Sequence, residues 1–181
     1  MQQKEARKSR HEKAGKNKEK EEKSMLVGLS ERQILLFLLE FMVVSSIILL
    51  IWYYIGEFYQ AAIFFIARYI LRALGYTPLQ ISAVNLSNAY LGNFNLVPFF
   101  ALALVTPKLS VRRRLEMLMI GLPILFLLHV TDLVAHFPLA FYGSGVARLI
   151  VYSIGVAGVA LPFVIWFAVC AGALSTKERS K

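Results

Sequence analysis

His129, Asp132 and His136 stand at i, i+3 and i+7 inside an apolar stretch, so one helical face carries all three. Ionisable groups in such a stretch are costly to hold in lipid, and they face protein, water or a ligand. Three uses suit the set. Imidazole and carboxylate can ligate zinc, iron or manganese. Histidine can pass protons near neutral pH. The three can also form a structural hydrogen-bonded cluster, the most frequent fate of such groups. The spacing matches no metal signature by itself, and no cofactor is implied. Cys170 is the lone cysteine and lies at the far end of the last apolar segment, away from both histidines. It excludes an internal disulfide, and neither G-x-S-x-G nor H-E-x-x-H is present, so nucleophilic catalysis has no support.

Other polar residues gather near the same level. The third apolar segment opens with Asn85, Asn88, Tyr90, Asn93 and Asn95, and the last opens near Arg148, which could neutralise Asp132. Tyr90, Asn93, Asn95 and Arg148 are therefore the expected lining of an external pocket between the polar ends of the third and fourth segments.

Membrane helices must position these groups. The chain is 57% hydrophobic with a mean hydropathy of +0.59. Its charges crowd into residues 1–32, Lys108 to Glu116, and Lys177 to Lys181. That distribution belongs to spanning helices joined by short polar loops, in an all-α multi-pass bundle. The net charge of +9 orients the protein in a bilayer rather than binding nucleic acid. Residues 1–32 read as a disordered basic tail with no cleavable signal peptide.

Residues 33–173 form the expected membrane domain. Spans are expected at about 33–55, 90–106, 115–137 and 146–173, followed by a short tail at 174–181. Trp52, Tyr53 and Tyr54 close the first span as an interfacial cluster. Residues 58–74 carry Arg68 and Arg72 on one face and read as an external amphipathic helix that Gly75 and Pro78 stop. Residues 79–90 read as a loop or short extended stretch, Lys108 to Arg114 as a basic loop, and Pro138 to Gly145 as a turn. Bends are expected at Pro98 and at Gly121–Pro123. Four spans place all three basic segments on one side, so both termini are expected in the cytoplasm. The bilayer is the first partner.

From Gly75 to Val134 the chain resembles the core of the exosortase/archaeosortase family of membrane transpeptidases. The resemblance lies in the Leu74-Gly75-Tyr76 turn, a polar surface strand after it, and the Gly-containing helix Tyr90-Leu-Gly-Asn-Phe-Asn-Leu-Val-Pro. The loop Pro107-Lys-Leu-Ser-Val-Arg-Arg-Arg-Leu115 and the segment Ile120-Gly-Leu-Pro-Ile-Leu-Phe-Leu-Leu-His-Val-Thr-Asp132 follow. The resemblance implies cleavage of C-terminal sorting signals outside the membrane by a cysteine aided by an arginine. The family's Cys-x-Gly falls here on Tyr90-Leu91-Gly92, and its Asn-x-x-Arg on His129-Val-Thr-Asp132. The nucleophile and the oxyanion-stabilising cation are both absent, so transpeptidation is not expected. The resemblance then implies a binding or accessory subunit in envelope protein sorting or export. Its partners would be another membrane protein or a sorted protein's C-terminal segment. Two rival readings remain: capture or transport of a small solute, and an enzyme working through His129, Asp132 and His136.

Overall fold

A computed structural model describes residues 31–86, 92–107 and 109–179, with side chains for 32–86, 93–107 and 109–170. The chain divides into two units, Met1–Leu39 and Glu40–Lys181, and the site lies wholly in the second. The described residues are helical, and none forms a strand. The helices are α1 (Glu31–Ala73), α2 (Pro78–Ala83), α3 (Leu96–Val105), α4 (Val111–Tyr142) and α5 (Gly145–Arg179). A 3-10 turn, Gly92–Asn95, leads into α3. The protein is an all-α membrane bundle. Stretches of α1, α4 and α5 are long and apolar enough to cross a membrane, and Asn93–Val105 is a shorter apolar helix.

Residues expected as a first span and a separate amphipathic helix form one continuous helix of 43 residues. At 1.5 Å per residue that is about 65 Å, roughly twice the thickness of a hydrocarbon core. Only Gly56 and Glu57 stand between the two segments, and a lone glycine costs a helix about 1 kcal/mol without ending it. The helix ends where Gly75 takes a positive φ of 92° and Tyr76 N–H bonds back to the Leu71 carbonyl. Trp52 turns inward from Tyr53 and Tyr54, which stay exposed. It is buried, with its ring 5.3 Å from that of Tyr59.

The far half of α1 keeps its amphipathic character and buries one face. Ile63, Ala67 and Leu71 pack with Val130, Leu133 and Phe137 of α4, while Arg72 stays exposed on the other side. Arg68 lies over the rings of Phe65 and Tyr69, at 4.5 and 5.0 Å.

Four boundaries differ from the sequence expectation, each for a local reason. Residues 78–83 are a helix and not an extended stretch. Thr77 caps it through Gln80 N–H, Gln80 answers to the Thr77 N–H, and Pro78 supplies a preset φ in the first turn. α3 starts at Leu96, so Pro98 falls in its first turn, where the missing N–H has no intrahelical partner to lose. Arg112, Arg113 and Arg114 are no loop: Ser110 caps α4 ahead of them by accepting from Arg113 N–H. α4 also runs through Pro138 to Tyr142, ending where Gly143 turns to φ +58° and bonds to the Leu139 carbonyl.

Gly143 lets α4 and α5 fold back as a hairpin, the most closely packed pair of helices. At the other end of α4 three carbonyls converge on one guanidinium. Arg114 donates to the oxygens of Leu104, Thr106 and Leu109, at and just beyond the C-terminus of α3. A cation suits that position because the helix dipole is negative there. Trp166 of α5 donates to the Thr106 hydroxyl at 2.7 Å and ties the third helix into the same junction.

Candidate functional site

The α4–α5 hairpin does not close completely. Between its arms and the 3-10 turn lies a cavity of about 680 Å³, within the range of ligand sites. His129, Asp132 and His136 all line it from α4, as their helical spacing requires. Asn95 lines it from the turn and Arg148 from α5. The rest of the lining is largely apolar, including Phe94, Pro98, Leu128, Val159 and Phe163.

His129 is 3% exposed and holds the seam between α1 and the cavity. Its Nδ1 is 2.8 Å from the Tyr59 hydroxyl, and the two rings meet edge to face with centroids 5.8 Å apart. His136 Nδ1 lies 2.8 Å from the backbone oxygen of Asp132. A carbonyl only accepts, so Nδ1 carries the hydrogen and donates. The same nitrogen is 3.8 Å from Asp132 Oδ1. Asp132 is 8% exposed, and the side chain beside it is His136 rather than Arg148. The expected neutralisation of Asp132 by Arg148 is therefore replaced by a contact within α4 itself. Arg148 is exposed on the cavity wall, and among the described residues it makes no ion pair.

The two asparagines of the turn differ. Asn95 lines the cavity with both amide atoms buried and unpartnered among the described residues. Asn93 is 1% exposed, also unpartnered, and does not line the cavity. A buried amide without a partner costs about 1–3 kcal/mol, so such an atom in a cavity wall marks a place for water or a ligand. Gly158 makes room for Asn95: a Cβ there would stand 3.1 Å from its Nδ2. Tyr90, the remaining expected pocket residue, lies outside the described residues.

The pocket was expected between the third and fourth segments, yet α5 builds much of its wall. Arg148, Tyr152, Gly155, Val159 and Phe163 all line it, at helical intervals of four, three, four and four residues. Tyr59 carried no such signal, because its partner His129 is 70 positions away.

Among the described residues no group of three or more His, Cys, Asp and Glu side chains is placed to hold a metal ion. Cys170 stands two turns beyond Phe163 on α5 and does not line the cavity. Comparison with known proteins finds no match to a family model, a curated protein or a solved structure.

Proposed function

We propose that this protein is a membrane binding subunit that captures its ligand in the cavity between α4 and α5. One observation carries the reading: largely apolar walls surround a few convergent polar groups, among them an amide and a cation that have no partner among the described residues. The histidines and Asp132 face mainly other groups of this chain and shape the site. The resemblance to exosortases and archaeosortases supplies a context, protein sorting or export at the cell envelope, in which a subunit without a nucleophile would assist. Both termini would then lie in the cytoplasm, with the α4–α5 turn outside.

Thermal stabilisation of the purified full chain across a panel of lipids, peptides and polar metabolites tests the binding reading. At least one class should raise the melting temperature, and less so when Asn95→Leu makes the polar wall apolar. A panel with no stabilising class would sink the reading. For orientation, a cysteine placed at Ser144 should react with an impermeant maleimide in intact cells; reaction only after permeabilisation would reverse the topology.

A further inference from the structure

The cavity is a slot with two unlike ends. Its wall on α5 runs from Arg148 to Phe163, about 22 Å at 1.5 Å per residue. That exceeds the roughly 15 Å of one leaflet's hydrocarbon. A compact solute would fill only part of it. The upper end carries Arg148 and His136, and the lower end is walled by Leu128, Val159 and Phe163. Tyr152 and Val159 are 69% and 70% exposed, so among the described residues the slot is open along that side. Among the described residues nothing lies within 4 Å of a Cβ placed on Gly155, halfway down the wall.

Charge selects the head. Asp132 and His136 face each other at 3.8 Å, and His129 is held by Tyr59. Arg148 is thus the one charge on the wall with no ion-pair partner among the described residues, and it sits five positions beyond Gly143, near the end of the hairpin. A guanidinium there can take a phosphate or carboxylate in bidentate fashion.

We infer that the slot holds one chain of an anionic membrane amphiphile, its phosphate or carboxylate head on Arg148 and its apolar chain running down to Phe163. This rests on the binding reading above and names the class of ligand. Entry is lateral, from the leaflet that the open side faces. The chain covers the apolar walls, and the head neutralises the unpaired cation.

The test uses the full-length protein in mixed micelles of phosphatidylglycerol and phosphatidylcholine, with retained lipid read by native mass spectrometry. Phosphatidylglycerol should be retained about tenfold over phosphatidylcholine, and Arg148→Gln should erase that preference. Gly155→Leu should block retention of either lipid, because it adds a bulky side chain to the slot wall at a position where a Cβ meets no described atom within 4 Å. Leucine is also the better helix former, so an unchanged melting temperature in phosphatidylcholine shows the fold is intact.

Glycerol phosphate, the head without the chain, should not stabilise the protein. Equal retention of the two lipids, or retention unaffected by Gly155→Leu, overturns the inference. So does stabilisation by glycerol phosphate alone, which would make the ligand a soluble anion. A photo-crosslink from position 159 to a second protein rather than to lipid would assign the slot to a partner helix and also overturn it. If another class from the panel binds instead, the binding reading survives and only the lipid assignment fails.

Discussion

The two ends of α4 hold charge in opposite ways. At the end that begins at Val111, cations are absorbed into the fold. Arg112 and Arg113 pair with Glu116 at 3.3 and 2.8 Å, and Arg114 gathers three backbone oxygens around the end of α3. In the half that runs toward Gly143, His129, Asp132 and His136 line a cavity together with Arg148 of α5, and Arg148 has no ion-pair partner among the described residues. A basic cluster and a polar cluster look equally chemical in a sequence. What separates them is whether the fold completes their partners. The sealed end is a joint, and the open end is where we propose the site.

The sharpest way to break that comparison is one substitution made at both ends. A Cβ on Gly121 would stand 2.1 Å from Phe99 Cζ, whereas one on Gly155 would meet nothing within 4 Å. Gly121→Leu must push the α3 phenyl ring out of a closed seam and should cost about 3 kcal/mol or more. Gly155→Leu should leave stability unchanged or raise it slightly through helix propensity. Thermal melting in detergent reads both. Equal losses at the two glycines would mean that the hairpin closes over the slot, and the contrast would fall.

The arginines give the next largest difference. Arg114→Gln loses charge-assisted bonds to three carbonyls, and a glutamine amide cannot reach all of them. The loss should be about 2 kcal/mol, lowering the melting temperature with no change in ligand retention. Arg148→Gln should do the reverse, leaving melting untouched and weakening retention. Were Arg148→Gln as destabilising as Arg114→Gln, Arg148 would belong to the joint, and the slot would lose its only selective group.

How far these roles could be read from the sequence follows the same divide. The three groups on α4 share a face because helical spacing is local, and the structure keeps them together. Thr77, Pro78 and Gln80 form a local signal too, a capping box with proline in the first turn, and the helix at Pro78–Ala83 was legible there. The run of α1 through Gly56 was harder to see, since aromatic residues that resembled an interfacial belt turn inward at Trp52. The clasp of Arg114 depends on where α3 stops, and the wall on α5 depends on how the hairpin rotates. Those are tertiary facts, which periodicity within one segment does not carry.

The smallest expected effect lies where the two regimes meet. Tyr59 belongs to the packed face of α1, beside Trp52 and Phe126, yet its hydroxyl reaches His129 on the cavity wall at 2.8 Å. Tyr59→Phe keeps the ring and its packing and removes one hydrogen bond, a loss of about 1 kcal/mol. If His129 acts as part of the joint, melting should fall by that amount while ligand retention stays the same. If it belongs to the open site, retention should change as well, because the imidazole loses the contact that fixes its ring plane. A fall in retention larger than the fall in stability would extend the site across the seam into α1. The boundary between joint and site would then run through Tyr59 rather than along the face of α4.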